Sequence, residues 1–177
     1  MSCGGATPMS LYTACFLGVP MRASTQKGVS FGLSTGVITT LGLMIGLEAG
    51  TAGRSVVLAG IITIALADAL SDSLGMHLSE ESAKRSHKGV WGVTFSTFLT
   101  KMVIALSFGA LVLLLPLGTA IRLSLIWGFV LLIGLSWWIA RQQKRPSWES
   151  IGEHILIAAV VVVLARLVGV LVSSLVA

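Results

Sequence analysis

Asp68, Asp72, Met76 and Ser79 stand at i, i+4, i+8 and i+11 in the run VVLAGIITIALADALSDSLGMHLSEES, from Val56 to Ser82. On a helix that spacing shares one face. The face offers carboxylate oxygen, thioether sulfur and hydroxyl. His77 lies about 100° round from Met76, toward a neighbouring helix. Oxygens suit hard cations, and sulfur and imidazole suit first-row transition metals. Asp72, Met76, Asp68 and His77 are therefore candidate metal ligands. Their setting sharpens this reading: an ionisable side chain inside an apolar run is costly in a bilayer, and its presence marks a functional position. The structural alternative is that both Asp are satisfied by a buried Lys or by backbone N–H groups.

The elements that must hold these residues are membrane helices. The 177-residue chain is 55% hydrophobic, with mean hydropathy +0.94, far above a soluble domain. Apolar blocks of about 20 residues recur, the length that spans hydrocarbon. Spans are expected at about Val29–Gly50, from Val56 into the charged stretch, Trp91–Leu115 ending at Pro116, Thr119–Ala140 and Ile151–Val176. The fold class is an all-α polytopic membrane protein of five helices. Residues 28–177 form one domain, with 1–27 a poorly ordered tail. Within that tail, residues 1–20 read as disordered or as an upstream mis-start, with Met21 the alternative beginning.

The first span carries two glycine rows, Gly28, Gly32, Gly36 and Gly42, Gly46, Gly50. Small residues at that spacing let helices approach closely in lipid. Two rows on different faces predict a helix crowded on both sides, by neighbours in the chain or by a second copy. Ser34, Thr35, Thr39 and Thr40 supply hydroxyls for a neighbour or a path.

Other charged groups fall at stated depths. Lys101 interrupts the third span at about the depth of Asp72, each roughly 13 Å from the basic loop, so the two are expected to pair. That pair is either a switch, with Lys101 neutralising Asp72 when no cation is bound, or static. Glu153 and His154 lie about one turn inside the fifth span, as the mouth of a cation path or as interfacial decoration. Glu48 ends the first span as an interfacial or path carboxylate, and Arg166 either snorkels or pairs with it. Glu80, Glu81, Lys84, Arg85 and Lys88 read as a solvated loop or helix extension, with His87 exposed in it.

Basic residues set the orientation. Arg22 and Lys27, then Lys84, Arg85 and Lys88, then Arg141, Lys144 and Arg145 lie on one side; Arg54 and Arg122 lie on the other. The N-terminus is therefore expected in the cytoplasm. The net charge of +5 follows from these loops and points to no nucleic-acid partner. Cys3 and Cys15 have no metal-ligand spacing. With no HExxH, nucleophile motif or phosphate loop, no enzyme activity is expected.

FGLSTGVITTLGLMIGLEAG followed by LAGIITIALADALSDSLGMHLSEES resembles the first two helices of the vacuolar iron transporter family, with its GLxTxxxxxxG-like first helix and ADALSxxxGxxLSxxS-like second. The resemblance covers about Ser30 to Ser82; beyond that it is one of topology. It implies a homodimeric carrier that exports Fe²⁺ or Mn²⁺ from the cytoplasm against protons, between the paired first and second helices. The metal would be cargo, with no permanently bound cofactor. This sequence departs from the pattern at the site. The family's first-helix Asp falls at Thr35, its second-helix Met at Asp72, the following acidic residue at Met76 and the next Tyr at His77. Its cytoplasmic metal-binding insert between spans two and three is absent.

The expected function is thus a proton-coupled exporter of a divalent transition metal in the lipid bilayer, in the plasma (inner) membrane of a prokaryote. Asp72 and Met76 would be ligands, Asp68 a ligand or proton acceptor, His77 the guard of the entrance, and Lys101 the competitor for Asp72. The alternative is a non-transporting membrane subunit held by intramembrane charge pairs.

Overall fold

A computed structural model describes residues 23–143 and 147–176; the expected disordered stretch 1–20 lies outside them. The described chain is five helices: α1 Ala23–Ala49, α2 Arg54–Ser82, α3 His87–Leu114, α4 Leu117–Gln143 and α5 Ser147–Val176. All five are long and apolar enough to cross a bilayer. The protein is an all-α membrane protein. α1 opens at Ala23, so residues 23–27, expected in the tail, form its first turn.

The helix ends follow from local chemistry. Leu115 is extended (φ −121°, ψ 156°), as the residue before Pro116 must be, because the ring disfavours a helical predecessor. The Ser86 side chain accepts a hydrogen bond from Gly89 N at 3.3 Å and caps α3. At the far end of α3, Arg54 Nε donates to the Val112 carbonyl at 2.7 Å, and Arg54 also donates to Leu113. Those carbonyls lack helical partners, so a charge at the start of α2 closes the end of α3.

α1 is the hub. Its first glycine row packs on α3: a Cβ on Gly32 would stand 2.7 Å from the Thr97 carbonyl oxygen. Its second row packs on α5: Gly46 lies against Ala165, and Gly50 against Gly169. The two-sided crowding expected from the sequence is present, and both rows are used within one chain. The core joins Val37, Leu41 and Met44 of α1 to Val57 and Ile61 of α2 and Phe108 and Val112 of α3.

α2 packs differently. Its buried apolar row, Val57, Ile61, Ala65 and Ala69, is one residue wide. Leu66, Leu70, Leu74 and Leu78 are exposed, as are Ala59, Thr63, Ala67, Ser71, Gly75 and Ser79. Much of α2 therefore faces out of the bundle.

Candidate functional site

The centre of the bundle holds three charges. Asp68 and Asp72 come from the middle of α2 and Lys101 from the middle of α3. Lys101 is 1% exposed, and its Nζ lies 2.7 Å from Asp68 Oδ2. It also donates a hydrogen bond to Asp72 Oδ2. Asp68 Oδ2 is buried and receives no hydrogen bond, so its contact with Lys101 is purely ionic.

Glycine makes room for this lysine. Lys101 Cγ lies 3.3 Å from where a Cβ on Gly36 would stand, so the apolar stem lies along the bare face of α1 while the ammonium reaches α2. The expected Asp72–Lys101 pair is present, and Asp68 shares the same ammonium. One ammonium balances one carboxylate; with both ionised, a formal negative charge is left at mid-membrane. The two carboxylates are about a quarter exposed, at 29% and 24%.

Met76 follows one turn after Asp72 and is half-buried. His77 turns to α3, where its Nδ1 lies 3.0 Å from Thr94 Oγ1. That hydroxyl spends its own hydrogen on the Val90 carbonyl at 2.8 Å. His77 Nδ1–H must therefore be the donor. The ring also meets Trp91 edge-on, with centroids 5.0 Å apart. Among the described residues no three His, Cys, Asp or Glu side chains gather as a metal-binding group. Asp68 and Asp72 thus form a two-carboxylate site, and His77 is not brought into it.

The remaining expected site residues lie elsewhere. Thr35 Oγ1 donates to the Phe31 carbonyl of its own helix at 2.9 Å. Glu48 faces Arg166 at 4.0 Å, in the far half of α1. Glu153 is exposed and His154 half-buried near the start of α5, a helix that packs on α1 and α4.

In the segment read as solvated, Glu81, Lys84, Arg85 and Lys88 are exposed as expected, and Glu80 is the exception. It is buried and forms an ion pair with Lys27 of α1. The signal that could have found it is spacing: Asp68, Asp72, Met76 and Glu80 form one unbroken i+4 row. Such a row drifts about 40° per step at 3.6 residues per turn. It starts against α3, where Lys101 is, and comes round to α1, where Lys27 is. His87 is exposed as expected, but it opens α3 and accepts a hydrogen bond from Trp91 Nε1 at 3.2 Å.

No family model, curated protein or solved structure matches the chain.

Proposed function

We propose that this protein is a proton-coupled carrier exporting a divalent transition metal, iron or manganese, from the cytoplasm. The observation that carries the reading is the charge count at mid-membrane: two carboxylates of α2 share one buried ammonium. Isolated charge at that depth is unfavourable, so the cluster calls for one more positive charge. A proton or a metal ion supplies it, and competition between the two is the coupling. Because ligating carboxylates must be deprotonated, metal affinity falls as pH falls, and an inward proton gradient drives metal outward.

Lys101 acts as an internal counter-ion. When a divalent ion arrives at Asp68 and Asp72, the ammonium is repelled and its hold on Asp72 weakens. When the ion leaves, the ammonium restores the pair. Two carboxylates alone are a sparse donor set for an octahedral ion. A second copy packed on the uncovered face of α2 doubles it and brings two Met76 thioethers nearby. The exposed row Ala59, Thr63, Ala67, Ser71, Gly75 and Ser79 supports such a homodimer, since small residues permit close helix approach. The vacuolar iron transporter resemblance points the same way.

The test is metal flux into proteoliposomes holding a metal-sensitive dye, with Fe²⁺, Mn²⁺, Zn²⁺ and Ca²⁺ compared with and without a pH gradient. Flux of Fe²⁺ or Mn²⁺ that follows the gradient and disappears in Asp72→Asn is expected. Absence of flux for every metal from folded protein would transfer the charge cluster to the second reading, a membrane subunit held by ion pairs.

A further inference from the structure

Glu80 lies three positions beyond Asp68 on the same i+4 row of α2, with Asp72 and Met76 between them. Successive members stand about 6 Å apart along the axis. Both ends of the row carry a lysine from another helix: Lys101 of α3 at Asp68 and Asp72, and Lys27 of α1 at Glu80. The burial is reversed between the two ends. Glu80 is 8% exposed and Lys27 55% exposed. The carboxylate is fixed in the protein, and its cation stands at the rim.

The geometry points to Glu80 as the first cation-binding residue of the path, occupied in the resting molecule by the Lys27 ammonium, which an incoming divalent ion displaces. This rests on the carrier reading and extends it to the basic end of the bundle. A buried carboxylate needs a counter-charge, so Glu80 is never left bare. An exposed lysine loses little on release, because water takes up its ammonium. A divalent ion brings twice the charge of Lys27 and no side chain to immobilise. It can then move along the row past Met76 to Asp72, where the second lysine yields. Each carboxylate is handed from one cation to the next without a bare charge in the membrane.

The pair also joins the first turn of α1 to the last turns of α2. Its release removes that tie between the two ends. Lys27 is thus both the resting occupant of Glu80 and the tie that keeps the ends together.

The experiment measures Mn²⁺ flux against Mn²⁺ concentration in proteoliposomes for the full chain, Glu80→Gln, Lys27→Met, Lys27→Arg and the double variant Lys27→Met/Glu80→Gln. Glu80→Gln is expected to raise the half-saturating concentration on the basic-end side about tenfold while keeping the maximal rate. Lys27→Met is expected to lower it several-fold, and Lys27→Arg to match the unaltered protein. Equal half-saturation in the unaltered protein and Glu80→Gln would overturn the assignment. The carrier reading fails if the unaltered protein carries none of Fe²⁺, Mn²⁺, Zn²⁺ or Ca²⁺; where Mn²⁺ itself is not carried, Mn²⁺ binding followed by electron paramagnetic resonance decides the role of Glu80 separately. One more Mn²⁺ bound by Lys27→Met than by the double variant supports it; equal binding overturns it. Should Lys27→Met not fold, the unaltered protein and Glu80→Gln, which buries no unpaired charge, carry the same comparison.

Discussion

The two lysine–carboxylate sites are mirror images in burial. At mid-membrane the cation is buried, with Lys101 1% exposed, and the carboxylates are about a quarter exposed. At the basic end the carboxylate is buried and the cation looks outward. The difference teaches which partner can be exchanged. Lys101 cannot leave for water, so it moves only between partners inside the bundle. Lys27 can leave, because hydration replaces what the pair supplied. A surface pair of this kind contributes little by itself; the burial of Glu80 is what makes the end pair matter.

The sharpest way to break this comparison is to remove each lysine. Lys101→Met leaves two carboxylates without their buried partner and should destabilise the fold by roughly 3–5 kcal/mol, read as lost folded protein in detergent. The triple variant Asp68→Asn/Asp72→Asn/Lys101→Met should restore most of it, since a neutral cluster leaves no charge stranded. An equally destabilised triple variant would mean that packing of the lysine stem on Gly36, rather than charge, dominates at this site.

A smaller effect is expected from the glycines. Gly32→Ala forces α1 off the α3 backbone and should lower stability by about 1–3 kcal/mol, measured by chemical denaturation in mixed micelles. Gly75 on α2 has nothing within 4 Å of an added Cβ. Gly75→Ala should leave monomer stability within about 0.5 kcal/mol. Gly75→Leu should weaken self-association measured by cross-linking in membranes, if the uncovered face of α2 meets a second copy. Unchanged cross-linking would send the interface to another helix.

The two central carboxylates should also differ from each other. Asp72 receives a hydrogen bond from Lys101, whereas Asp68 has ionic contact alone. Asp72→Asn should therefore disturb the lysine more, and Asp68→Asn should weaken Mn²⁺ binding by at least about tenfold, near 1.4 kcal/mol, while the fold persists. Equilibrium Mn²⁺ titration of both variants checks the order. A small effect is expected of His77→Ala, which removes one hydrogen bond to Thr94 and should cost about 1 kcal/mol with binding at Asp72 unaltered. A large loss of binding would draw His77 into the site after all.

Much of the architecture was legible beforehand because each signal was local. Pro116 ended α3 through its own ring, the apolar blocks set five spans, and the glycine rows announced two crowded faces. Depth counting from the basic loop placed Lys101 beside Asp72. The i+4 row singles out Glu80, but its burial was not legible. It stands among Ser79, Glu81 and Ser82, a polar neighbourhood typical of a solvated end, and nothing local shows that α1 reaches it. For His77, helical spacing gave its direction toward a neighbouring helix, and only the packing of α2 on α3 showed that Thr94 is the partner of its Nδ1.

The sequence by itself determined that this is a five-helix membrane protein with carboxylates and a lysine at matching depth, because length, hydropathy and helical rise fix those quantities one element at a time. Tertiary structure alone decided that Asp68 and Asp72 share one ammonium, that both glycine rows are used inside the chain, and that Lys27 closes on Glu80. Those outcomes depend on which faces of α1, α2 and α3 meet, and that choice is made by packing across helices far apart in the chain.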